Sequence, residues 1–167
     1  GFKSPSKIQN QVLTILNQLA KEPHHTEILA QSQNGSGKTL SFLVPSLLRV
    51  SKDHLATTNK PTPQVIIIGD TKELIYQTFK ILNLIKPDWV KTDYFYREKS
   101  EPADINAHIV LGTADHLCHL FEKGALIFDK LRLFILDEAD KLIESDSVKN
   151  KLPKLLKGIP KTAIVGL

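Results

Sequence analysis

Short apolar runs recur along the chain, and the stretches between them carry apolar residues at helical spacing. The runs Glu27–Ala30, Val65–Gly69, His108–Gly112, Leu131–Leu136 and Thr162–Leu167 predict strands with both faces buried. The stretches Lys7–Leu19, Lys38–Val50, Lys72–Leu84, Ala114–Phe121 and Asn150–Leu156 predict helices. Strands alternating with helices imply βαβ units with right-handed crossovers. The expected fold is therefore α/β, a mostly parallel, doubly wound sheet with helices on both faces. Polar Ser51–Pro63, ending in Lys60-Pro61-Thr62-Pro63, reads as a surface connection. Ligands of such sheets bind beyond the carboxyl ends of the strands. The residues that follow each strand are thus the first place to look for chemistry.

Two of those places carry it. Apolar Ile28-Leu29-Ala30 leads into Ser32-Gln33-Asn34-Gly35-Ser36-Gly37-Lys38-Thr39, and helical Leu40–Leu48 follows. Strand, glycine-rich loop and helix are the context that a phosphate-binding loop requires. Glycines let backbone N–H groups turn inward around phosphate oxygens, and the helix start adds partial positive charge. Lys38 can reach the β- and γ-phosphates, and the Thr39 hydroxyl can ligate Mg²⁺. Ser32 stands where the motif's first glycine is usual. Taken alone, the segment could be a glycine turn with a solvated lysine.

The second place argues against that plain reading. Leu131–Leu136 delivers Asp137-Glu138-Ala139-Asp140 at its carboxyl end. Asp137 suits a water-mediated Mg²⁺ contact, and Glu138 suits orienting or deprotonating the attacking water. Without the phosphate loop, the same carboxylates would be an ordinary helix start. Together the two halves predict an ATP-Mg²⁺ site, with Lys38 and Glu138 as the catalytic candidates.

Asp137-Glu138-Ala139-Asp140 spells DEAD, and nearly the whole chain resembles the first RecA-like domain of a DEAD-box RNA helicase. The resemblance implies a three-layer RecA-like phosphate-loop domain over residues 1–167. It implies an ATP-dependent RNA helicase, or RNA-dependent ATPase, whose second RecA-like domain lies outside this chain and without which this half is inactive. Gly1-Phe2-Lys3-Ser4-Pro5-Ser6-Lys7-Ile8-Gln9 resembles the family's Q motif, which adds Phe2, Lys7 and Gln9 to the nucleotide site. A Gln amide both donates and accepts, as adenine's edge requires. The wording is nearest to the messenger-RNA export subgroup that acts at the nuclear pore, on Pro5–Gln9, on Ala30-Gln31-Ser32-Gln33, and on Glu73-Leu74 with Gln77-Thr78. That subgroup implies nucleoporin and export-factor partners and a cytoplasmic or nuclear location at the pore.

The resemblance also places sequence-tolerant single-stranded RNA on Lys72, Glu73, Thr113 and Asp115, and interdomain coupling on Asp140 and Gly166. Here the chain departs from the pattern. Asp70-Thr71-Lys72-Glu73-Leu74 stands for P-T-R-E-L, so a point charge replaces the forked guanidinium. Thr113-Ala114-Asp115-His116 puts a carboxylate where the family has glycine, and Val165-Gly166-Leu167 lacks the usual serine of S-A-T. A Gly-Gly pair is missing between Tyr94 and His108. An eroded set of this kind also fits a different class, a nucleotide-binding module that serves as a protein-interaction scaffold.

Composition adds few constraints. The 167 residues carry a formal net charge of +4 and 41% hydrophobic residues, consistent with one mildly basic domain with an ordinary core. One cysteine, Cys118, excludes an internal disulfide and favours a reducing compartment. No apolar run suits a membrane span, and a monomer is expected. The absence of Met, including an initiator, fits a piece of a longer protein. His116-Leu117-Cys118-His119 does not match zinc spacing and reads as a helix with Cys118 inward. Tyr94-Phe95-Tyr96 offers ring surface but at strand spacing reads as core, His24-His25 reads as solvated, and Lys149-Asn150-Lys151 with Lys154 and Lys157 reads as a solvated helix face.

Overall fold

The computed structural model describes residues 4–19, 26–31, 36–52, 62–96, 107–160 and 162–166. In chain order they form α1 (Lys7–Leu19), β1 (Thr26–Leu29), α2 (Lys38–Arg49), β2 (Val65–Gly69), α3 (Lys72–Ile85), β3 (Thr92–Phe95), β4 (Ile109–Thr113), α4 (Ala114–Glu122), β5 (Leu133–Leu136), α5 (Ala139–Glu144), α6 (Asp146–Lys157) and β6 (Ala163–Gly166). The strands make one six-stranded sheet in the order β1-β6-β5-β2-β4-β3. Every pairing in it is parallel. The expected doubly wound α/β architecture is the one found.

The uninterrupted apolar runs follow from two buried faces. Successive side chains of a strand point to opposite sides. Val65 and Ile67 of β2 join Val12, Leu16, Phe42, Leu43, Ile75 and Leu82 from α1, α2 and α3. Ile66 and Ile68 join Leu117, Leu120, Leu142, Leu152 and Leu155 from α4, α5 and α6. Each of these β2 residues is at most 1% exposed. Truncating one to Ala would cost about 2–5 kcal/mol, because the packed layers on either side cannot collapse into the void.

Two elements lie outside the sequence expectation. β3 is an edge strand with three of its four residues only half-buried, so Thr92-Asp93-Tyr94-Phe95 lacks an apolar run. α5 is a six-residue helix directly after the acidic motif, too short to show a period. α6 starts at Asp146, four residues before the expected Asn150, because its first turn is polar. His116-Leu117-Cys118-His119 lies on α4 as expected, with Cys118 buried in the core. Burial pushes its thiol up to about 11, so Cys118 is an inert apolar side chain. No helix among the described residues is long and apolar enough to cross a membrane.

Candidate functional site

The strand order splits the carboxyl edge of the sheet into two halves. β1, β6 and β5 form one, and Leu29, Gly166 and Leu136 lie in one row across it. Gly166 therefore sits between the strand that enters the phosphate loop and the strand that ends in the acidic motif. With strands about 4.8 Å apart, the two motifs start roughly 10 Å from each other.

Gly37 closes the phosphate loop as the N-cap of α2, at φ 90° and ψ 25°. That conformation is left-handed and suits glycine. A second constraint acts on the same atom: a Cβ on Gly37 would meet Gln9 Nε2 at 2.5 Å. Gln9 comes from α1, and its amide donates to the Gly37 carbonyl at 3.1 Å. Its Oε1 accepts the Ser6 N–H at 2.8 Å. The Gln9 amide thus bridges the N-terminal segment and the loop, and its nitrogen keeps a second hydrogen for another acceptor. Lys38 and Thr39 occupy the first turn of α2, half-buried, and Ser36 precedes Gly37. Lys7, the first residue of α1, is exposed. Phe2, Ser32, Gln33, Asn34 and Gly35 lie outside the described residues, as does His24-His25.

Asp137 emerges from β5 with its N–H donating to the Ile68 carbonyl at 2.8 Å, which extends the ladder with β2 by one bond. The residue is 7% exposed. Burial pushes its carboxyl up to about 6, the Glu138 charge adds to this, and the Lys38 ammonium draws it partly back. The charge of Lys38 is therefore felt at Asp137. A buried carboxylate beside one cation is a fitting donor for a hard divalent ion, and the Thr39 hydroxyl adds the same oxygen chemistry.

Glu138 has φ 55° and ψ 52°, and among the described residues no other non-glycine has positive φ. A non-glycine residue held in this region stores roughly 1–3 kcal/mol of strain, which the packed strand and helix on either side must over-determine. The turn directs the Glu138 side chain to Lys141, whose Nζ donates to Oε2 at 2.8 Å. This bond raises the Lys141 pKa. Asp140 is exposed beside buried Ala139.

The other half of the edge, β2, β4 and β3, carries the residues expected to meet RNA. Lys72 and Glu73 open α3, where the Thr71 hydroxyl accepts the Leu74 N–H at 3.2 Å. Thr113 ends β4 opposite Gly69 and serves as the N-cap of α4. Asp115, in the first turn of α4, accepts a 2.8 Å hydrogen bond from Lys151 of α6. The bond raises the Lys151 pKa. Lys154 reaches Glu122 of α4 at 3.6 Å, and Lys149 reaches Asp146 at 3.6 Å. The lysine-rich face of α6 is therefore not simply solvated, since two of its lysines are paired across to α4.

Sequence reasoning missed Lys141, Lys151 and Ser6. Lys141 was legible in principle, three residues after Glu138 on a helix. Lys151 was not, because 36 residues separate it from Asp115.

The fold is one that known proteins share. The DEAD/DEAH box helicase family matches residues 6–167. The chain belongs to that family. The ATP-dependent RNA helicase DBP5 of Candida glabrata is 32% identical over 96% of this chain and 30% of its own length. The Dbp5 of S. cerevisiae bound to RNA and ADP BeF3 superposes with a TM-score of 0.83 at 26% identity, over 99% of this chain and 41% of that one. Dbp5 L327V from the same yeast, bound to nup159, gle1 H337R, ip6 and ADP, gives 0.80 at 26% identity, over 99% and 42%. The chain spans about a third of the length of the curated relatives it matches.

Proposed function

We propose that this chain is the ATP-binding half of a two-domain, RNA-dependent ATPase that remodels RNA or RNA–protein complexes in messenger-RNA export. The observation that carries the reading is convergence at one end of the sheet: Gln9 bonds the Gly37 carbonyl where the loop enters α2, and β6 alone separates the strand before that loop from the strand that ends at Asp137. Lys38 faces the β- and γ-phosphates of ATP. Gln9 would offer its remaining amide hydrogen and Oε1 to adenine, the Q-motif resemblance assigns Phe2 and Lys7 to the same role, and the Ser32–Thr39 motif would bind the phosphates. Thr39 and, through water, Asp137 would hold Mg²⁺, which would supply charge neutralisation on the phosphates. Glu138 takes the proton of the attacking water.

The charge on the phosphoryl group in flight calls for an arginine, and among the described residues none faces the loop. Its arginines are Arg49, Arg97 and Arg132. Arg49 and Arg132 are occupied with the backbone carbonyls of Leu16 and Arg49, away from the loop. An arginine finger contributes on the order of 10³–10⁵ in rate. A second RecA-like domain would supply it, with Asp140 and Gly166 as the residues that couple the two domains. RNA runs over Lys72, Glu73, Thr113 and Asp115, held by its backbone and so sequence-tolerant. Nucleoporin and export-factor partners at the nuclear pore follow from the Dbp5 relatives, one of them bound to nup159 and gle1.

The Asp115–Lys151 pair favours a second reading, a nucleotide-dependent docking module, because it places a carboxylate on the RNA path. One assay separates the two. Full-length protein is expected to release phosphate faster with single-stranded RNA than without, while residues 1–167 alone show no RNA-stimulated release. Nucleotide binding with no stimulation in the full-length protein would favour the docking module.

A further inference from the structure

Beside the RNA path lies a pocket of about 290 Å³ lined by Lys72, Glu73, Tyr76, Tyr94 and Tyr96. Its walls come from the start of α3 and the carboxyl end of β3. Tyr94 and Tyr96 lie two residues apart, so an extended backbone turns both toward α3. Their rings are nearly parallel, at 24°, with centroids 6.0 Å apart. Tyr76 tilts against Tyr94 at 5.8 Å. Phe79 packs under Tyr94 at 4.4 Å, so Tyr94 is anchored on the core while the other two rings extend outward from it. Tyr76 is 44% exposed. The Lys80 ammonium lies over the Tyr76 ring, 4.4 Å from its centre.

Core packing explains Tyr94 but not the other two rings. An aromatic wall with a cation and a carboxylate at its rim is unusual on an otherwise polar edge. Each component matches one part of a nucleotide. Ring faces stack on a base, Lys72 meets the adjoining phosphate, and Glu73 accepts from an exocyclic amino group. A phosphate alone would need no tyrosines. An apolar peptide side chain would find a carboxylate and an ammonium at its rim, with nothing in it to pair with either.

We propose that this pocket is a base-binding subsite, which captures one unpaired base of the RNA strand, preferably one carrying an amino group. The subsite rests on the RNA reading given above and deepens it. It adds affinity at a single nucleotide, by stacking, to a strand otherwise held through its backbone. It also stands next to Lys72, where a point charge replaces the bidentate arginine of the family pattern, so stacking compensates for the weaker phosphate grip.

The test compares a short oligocytidylate with an abasic ribose-phosphate strand of the same length, both titrated into the full-length protein by fluorescence anisotropy. A base stacked on an aromatic ring is worth roughly 5- to 150-fold in affinity, so the cytidine strand should bind tighter by about that factor. Tyr76→Leu with Tyr96→Leu keeps apolar volume and removes the rings. It should erase the difference while leaving abasic-strand and ATP binding within about twofold. Equal binding of both strands by the unaltered protein overturns the subsite and leaves the RNA reading intact. A full difference retained in the double variant overturns it as well, as a pocket serving a protein partner would. Failure to bind either strand overturns the RNA reading together with the subsite.

Discussion

The two halves of the carboxyl edge are held in different ways. Around β1, β6 and β5, backbone geometry and burial fix the parts: Gly37 in a left-handed turn against Gln9, Asp137 buried beneath the sheet's rim, Glu138 in a strained turn. Around β2, β4 and β3, an exposed side chain at a helix start, Asp115, is held by an ion pair with Lys151 of α6. Buried, backbone-bound groups tolerate few alternatives, whereas exposed pairs contribute little and are easily exchanged. The chain departs from the DEAD-box wording at Lys72, Asp115 and the missing glycine pair in the second half, and in the first at Ser32 and Gly166, while Gln9, Gly37, Lys38 and the acidic motif keep it. The groups fixed by backbone geometry and burial are thus among those that keep it, as the physics leads one to expect.

The largest effect that sharpens this contrast is at Glu138. Glu138→Gln keeps the size and removes the base, so hydrolysis by the full-length protein should fall about 10²–10⁴-fold with nucleotide affinity nearly intact. Wild-type turnover in that variant would remove Glu138 from the water-activating role. Lys141 offers a milder companion, since its bond to Oε2 orients the Glu138 carboxylate.

Gly37→Ala comes next. A Cβ there requires the Gln9 amide to withdraw and leaves Ala at φ 90°, which costs roughly 1–3 kcal/mol. Thermal unfolding should show the loss, and adenine nucleotide affinity should drop with it. An unchanged midpoint would show that the loop relaxes freely and is not the rigid half.

How far these features were legible before the fold is uneven. The glycine-rich loop and the acidic strand end could be read because their chemistry is local, a few residues each in sequence. The Gln9 contact depends on residues 28 apart, so only the resemblance suggested that Gln9 belonged to the site. The strain at Glu138 and the burial of Asp137 follow from the neighbours of β5 and leave no trace in the sequence. β3 was not predicted as a strand because Thr92-Asp93-Tyr94-Phe95, at the sheet edge, lacks an apolar run, although Tyr94-Phe95-Tyr96 reads at strand spacing. With it went the geometry of the tyrosine pocket.

Asp137 supplies a smaller, pH-dependent effect. Its folded value of about 6 lies above the ordinary 3.8, so the native state binds this proton more tightly than the unfolded chain. Its contribution is fully present below the ordinary value and declines as pH rises through about 6. Between about pH 4 and pH 6, without Mg²⁺, wild-type stability should decline relative to Asp137→Asn. Denaturant titrations across that range would show parallel profiles if the carboxyl were in fact well solvated.

The smallest effect concerns the exposed half. Lys72→Arg with Asp115→Gly restores the usual motif, and release of Lys151 adds a cation. Exposed pairs contribute about 0.2–1 kcal/mol, so RNA affinity should rise about 1.5- to 5-fold, more at low salt than at high. RNA binding no stronger than in the parent, or no stronger at low salt, would show that the strand does not cross this surface.

The central claim is that the first half of the edge holds ATP through Lys38, the cation felt by Asp137. Calorimetric titration of the full-length protein with a non-hydrolysable ATP analogue and Mg²⁺, beside Lys38→Ala, tests it most directly. Hydrogen bonds to charged groups are worth about 1.5–3 kcal/mol, so the account predicts one saturable site whose affinity falls at least about 10- to 150-fold in the variant. Equal affinity in the two proteins would contradict it.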